Sequence, residues 1–184
     1  MSRVADRFRK LAAGFTRRVE DVPADRWSNP SPCEAWTARD VVQHMVDASG
    51  IFLGFVGREV PRDPSVDDDP AAAWRNARDA VQAALDDPAV AATEYEGFAG
   101  RSTFEAGIDR FLAGDVLVHT WDLARATGLD ERLDADEVHA MLEATDAIDD
   151  DSFLRQPGVF GPKLDAPEGA DEQTRYLAFT GRRV

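Results

Sequence analysis

Apolar residues recur at helical spacing along most of the chain. Between residues 3 and 21, Val4, Phe8, Leu11, Phe15 and Val19 fall on one stripe, a period of about 3.6 held for some five turns. The stretch from Asp21 to Trp36 carries Pro23, Pro30 and Pro32 and reads as an irregular connection. Thr37, with an acid three residues on at Asp40, opens a second helix, because its hydroxyl can accept from an unpaired backbone N–H of the first turn. The inner face of that helix runs Val41, His44, Met45, Ala48, Phe52 and on toward Phe55, and Gly57 and Pro61 mark its end. A polar loop follows. Asp69-Pro70 then starts a third helix whose buried positions are Ala73, Trp74, Ala77, Val81, Ala84 and Leu85.

Around Thr93 to Gly100 the pattern weakens, and a short extended piece fits there without amounting to a sheet. Ser102 or Thr103 caps a fourth helix running to about Thr127, with Gly128 just beyond it. Its stripe is Phe104, Ile108, Phe111, Leu112, Asp115, His119, Leu123 and Ala126. Leu133-Asp134 opens a fifth helix bearing Val138, Met141, Leu142, Thr145 and Ile148, closed by Asp149-Asp150-Asp151. A tail rich in proline and glycine leads to a short helix at about 171–180, with Tyr176, Leu177 and Phe179 available to dock it. The expectation is one all-α domain over residues 1–184: a bundle of four main helices with an extra short C-terminal helix.

Composition narrows the function. At 184 residues, 43% hydrophobic and 30% charged, the chain can bury a real core. A net charge of −14 with no basic stripe opposes nucleic-acid binding. No stretch reaches the roughly 18 apolar residues a membrane span needs. No signal peptide is visible, and the single cysteine, Cys33, suits a reducing cytoplasm, so a cytoplasmic location is expected.

Two helices interrupt their apolar stripe with metal-binding groups. Asp115 and His119 are four residues apart, one turn along the same face, and His44 lies on the inner side of the second helix. Two imidazoles and a carboxylate brought together in a bundle core would hold Zn²⁺ or a similar divalent ion with a position left open, the pattern of a catalytic site. The plainer alternative is a hydrogen-bonded core histidine beside a simple i,i+4 pair. Asp122 returns to nearly the same face as His119, either as the acceptor that orients it or as a salt-bridge partner of Arg125 or Arg101. Cys33 reads as a small thiol packing a turn, with no neighbouring base in Ser31-Pro32-Cys33. Trp36, Trp74 and Trp121 read as core anchors, and His139 as half exposed.

The run Ser31-Pro32-Cys33-Glu34-Ala35-Trp36-Thr37-Ala38-Arg39-Asp40-Val41-Val42-Gln43-His44 resembles a segment of the mycothiol-dependent maleylpyruvate isomerase N-terminal domain, within the DinB/YfiT-like superfamily. Asp115 to Ala124 looks like the family's second motif, an acid, three residues, then His-x-Trp-Asp-Leu. The end of the chain, Phe160-Gly161-Pro162 and Leu177 to Arg182, is similar to an actinobacterial-type metal-binding subfamily. The resemblance implies a DinB-like four-helix bundle with one divalent ion, zinc or nickel, at the positions matching His44, Asp115 and His119. It also implies a metal-dependent enzyme of the thiol-transferase or isomerase kind that uses a small thiol such as mycothiol. Hydrolysis at the metal and a non-catalytic binding module are the alternatives. The isomerase has glutamate at the position of Asp115 and a further C-terminal domain that contributes to its active site, so maleylpyruvate isomerisation itself is not among the expectations. The expected partners are a small-molecule thiol and an electrophile, with a homodimer compatible with the sequence.

Overall fold

The computed structural model describes residues 2–97, 100–145, 160 and 162–184. They form two compact units, 1–131 and 132–184.

Four long helices make the first unit: α1 (Arg3–Asp21), α2 (Ala38–Gly54), α3 (Pro70–Asp86) and, after a short α4 (Pro88–Ala91), a hairpin and an α5 (Phe104–Gly107), the central α6 (Ala113–Thr127). Each packs on two others, in the cyclic order α1, α3, α2, α6, which closes a four-helix bundle. Cross-helix contacts fix the directions. Arg7 with Asp109 and Arg18 with Asp130 run α1 alongside the segment leading through α6. Thr16 with Trp74 and Arg9 with Asp86 oppose α1 to α3. His44 with Asp115 and Phe52 with Phe111 oppose α2 to α6.

The sequence accounts for most of these elements directly. Ser2 caps α1 by accepting from the Ala5 amide at 3.1 Å, and Asp69 caps α3 with Pro70 in its first turn. Thr37 and Asp40 form a complete capping box on α2, so the shorter acid serves as well as glutamate. In the core, Trp74 meets Phe15 edge-on at 4.8 Å. Its indole N–H donates to Thr16 Oγ1 at 2.9 Å, so the buried polar atom of a large apolar side chain is satisfied.

The fourth helix departs from expectation. It is not continuous: α5 passes into a π-helical turn, Ile108–Leu112, before α6 begins. The wider turn accommodates an extra residue, so positions before and after it do not share one stripe. Phe111 and Asp115 are consequently only half-buried, while α6 is buried on nearly every side. Arg7 donates to both the backbone oxygen (3.0 Å) and the carboxylate (2.7 Å) of Asp109 inside this turn. The extended piece near Thr93 is a real antiparallel hairpin, β1 (Glu94–Gly97) and β2 (Gly100–Thr103). It lays Tyr95 over Gly107, where a Cβ would come within 2.2 Å of the phenol oxygen. Gly128 takes the left-handed conformation (φ 72°) that ends α6.

In the second unit, α7 (Ala135–Thr145) packs on α8 (Glu172–Phe179), which Asp171 caps and whose Tyr176, Leu177 and Phe179 are buried. Ile148 and the Asp149–Asp151 run assigned to the fifth helix lie outside the described residues. His139 is exposed, paired with Glu172 at 3.0 Å. No helix among the described residues is long and apolar enough to cross a membrane.

Candidate metal centre

His44 comes from the second turn of α2, and Asp115 and His119 from the first half of α6. The structure brings all three together. His44 Nε2 lies 2.9 Å from one Asp115 carboxylate oxygen, and His119 Nε2 lies 3.2 Å from the other. One ligand atom from each sits within 4.8 Å of the other two. Ligands held at 2.0–2.2 Å around a tetrahedral zinc ion stand about 3.3 Å apart, so these separations fit a divalent ion with no change of fold. His119 is buried, whereas the His44 and Asp115 side chains are 30% and 29% exposed, leaving the centre open on one side.

Electrostatics explains how the donors coexist. Burial would raise the Asp115 carboxyl, but the His119 charge and hydrogen bonds from His119 and His44 outweigh it and hold Asp115 well below the usual carboxylate range. Burial would lower His119, but the Asp115 carboxylate first of all, with Asp122 and Cys33 close by, raises it well above the ordinary imidazole value. A divalent ion binds the deprotonated donors, so metal and proton would compete for these atoms.

Beyond the three, α6 supplies Asp122, whose side chain is fully buried. Its Oδ2 is 2.9 Å from His119 Nδ1, close but not aligned as a hydrogen bond along the ring N–H. Of the partners the sequence allowed for Asp122, the structure places His119 beside it. The half-buried Cys33 donates its thiol to Asp122 Oδ2 at 3.4 Å. Cys33, His119 and Asp122 therefore form a second group of donors within 4.8 Å, sharing His119 with the first. Ser31-Pro32-Cys33 itself offers Cys33 no base, as the sequence indicated; the carboxylate that accepts from the thiol comes from α6, 89 residues further along. A correction concerns Trp36. Trp74 and Trp121 are buried core anchors, but Trp36 is half-buried and lies against the rings of His44 and His119.

A four-helix bundle with two histidines and a carboxylate converging from antiparallel α2 and α6 defines a helical protein with a candidate metal site. Residues 8–124 match the mycothiol maleylpyruvate isomerase N-terminal domain, and the chain belongs to that family, within the DinB/YfiT-like superfamily. It is 31% identical over 185 residues to the uncharacterized proteins MT0763 and Rv0738 of two Mycobacterium tuberculosis strains, with 92% of this chain and 92% of each of theirs covered. No solved structure matches the chain significantly.

Proposed function

We propose that this protein is a metal-dependent enzyme of the thiol-transferase or isomerase type, which activates a low-molecular-weight thiol toward a small electrophile. The observation that carries the reading is the convergence of His44 Nε2 and His119 Nε2 on the two oxygens of Asp115, at a seam partly open to solvent. His44, Asp115 and His119 would hold the ion. Three nitrogen and oxygen donors with an open position favour zinc, and nickel suits the same set. A divalent ion there supplies a Lewis acid that draws the pKa of a bound thiol below its usual value of about 8.5.

The chain's own residues prepare that chemistry. Asp115 offers one oxygen to each imidazole and ties α2 to α6. Asp122, on the Nδ1 edge of His119, favours the tautomer whose Nε2 lone pair faces the site. The family's name couples mycothiol to isomerisation, and this supports an exogenous thiol as the nucleophile. Cys33 lies on the Asp122 side of His119, outside the three-donor group, which supports the same assignment.

The test is consumption of a model electrophile with mycothiol, bacillithiol or a simple thiol, with metal present and absent, after metal analysis of the purified protein. Turnover is expected to need both metal and thiol, to survive Cys33→Ser, and to be lost in His44→Ala with the fold intact. No metal-dependent acceleration from protein carrying stoichiometric ion would make it a binding module. Loss of activity in Cys33→Ser would make Cys33 the nucleophile.

A further inference from the structure

The indole of Trp36 lies 4.9 Å from the His44 ring with the planes inclined by 40°, and 5.8 Å from the His119 ring at 29°. The two imidazoles are themselves 4.7 Å apart at 65°. All three separations fall in the range of about 4.5–7 Å over which ring pairs attract. His44 and His119 sit on different helices, and the indole is in contact with both.

The chain goes to some trouble to put it there. Residues 30–37 form a closed loop: Pro30 and Thr37 make an antiparallel bridge, the Ser31 amide donates to the Trp36 carbonyl at 2.8 Å, and the Trp36 amide donates to the Cys33 carbonyl at 3.1 Å. The loop turns at Ala35, which is held at φ 65°. The left-handed conformation is unfavourable for a residue with a β-carbon and persists only where its surroundings over-determine it. Those surroundings are visible. Asn29 donates its side-chain N–H to the Ala126 carbonyl of α6 at 3.0 Å, and the Ala38 amide, at the start of α2, donates to the Asn29 carbonyl at 2.9 Å. The same two helices that carry the histidines therefore pin the loop that carries the indole. A tryptophan serving only to fill the core would be buried as Trp74 and Trp121 are, and Trp36 is not.

We infer that Trp36 is a positioning residue for the metal centre, its ring setting the planes of His44 and His119 so that both Nε2 atoms face Asp115. The inference rests on the metal reading proposed above. It requires the aromatic face, because an aliphatic side chain of similar bulk fills the space without orienting two imidazoles.

Cobalt(II) titrated into metal-free protein reports both affinity, by competition with a chelator, and ligand geometry, through the visible bands of the ion. Trp36→Phe is expected to keep the wild-type bands and to bind within about threefold, whereas Trp36→Leu is expected to bind about 10- to 100-fold more weakly, with altered bands, as losses around first ligands do. Trp36→Met repeats the comparison should the leucine variant fail to fold. Aliphatic variants that bind cobalt like Trp36→Phe, with the same bands, would overturn the inference and leave the metal centre standing. A wild-type protein that takes up no cobalt would overturn the metal centre and this inference with it.

Discussion

Which nitrogen of His119 faces the site is decided by its neighbours. Nε2 points at Asp115 and Nδ1 lies 2.9 Å from the buried Asp122. A carboxylate on the far nitrogen of a ligating histidine holds the ring and raises its basicity. Asp122→Asn keeps the shape but removes the charge, and is expected to weaken metal binding by about 10- to 100-fold with the bundle still folded. Chelator competition alongside a melting curve checks this, and unchanged affinity would reduce Asp122 to a packing residue. The three donors were legible in the sequence because each breaks an apolar helical stripe at the turn spacing of a helix. Cys33 and Trp36 were not. Their roles come from a loop whose path turns on the left-handed Ala35, and nothing in Cys33-Glu34-Ala35-Trp36 marks an alanine for that conformation.

Among the elements, α2 carries the clearest local instruction. The Thr37 hydroxyl meets the Asp40 amide, and the Asp40 carboxylate accepts from the Thr37 hydroxyl at 2.6 Å and its amide at 2.8 Å. Those bonds, the side-chain one first, lower the Asp40 pKa below the usual carboxylate value. A carboxyl depressed in the folded state adds stability that is present above its unfolded pKa of about 3.9 and is lost as the pH falls through the folded value. Thr37→Ala is expected to cost about 1 kcal/mol near neutral pH. The gap between wild type and Asp40→Asn should be full at pH 6 and close below about pH 4, measured by denaturant unfolding. A gap that persists at low pH would show that the charge is not what matters. The π-helical turn is the contrary case. Phe104, Ile108 and Leu112 keep an ordinary helical spacing, so the extra residue leaves no mark in the apolar pattern, and only the burial of Ala113, Gly114, Val116 and Leu117 reveals that the face has turned.

At the scale of the whole bundle, the centre joins two of the four helices. α2 and α6 are adjacent and antiparallel, and the His44–Asp115–His119 group lies on the seam between them. An ion bound only to the folded state stabilises it by RT ln(1 + [L]/Kd), about 2.7 kcal/mol at a hundredfold excess over Kd. For a chain of this length, each kcal/mol moves the melting temperature by about 2–4 °C, so stripping the ion from a saturated protein should lower it by roughly 5–10 °C. His119→Ala should show almost no chelator effect, since it removes the one ligand that both donor groups share. The first of these outcomes tests whether an ion is bound, and the second tests whether it is bound here. A protein shown to contain metal whose melting curve is unmoved once chelator has stripped the ion would bind it no more tightly folded than unfolded, and the ion would not clamp the helices. The remaining candidate clamps on α6 would then be protein contacts alone, chiefly Arg7 reaching into the π-helical turn from α1 and Asn29 holding the Ala126 carbonyl. In that case the open centre would be bought with stability found elsewhere in the bundle, as expected of a site that serves chemistry and not folding.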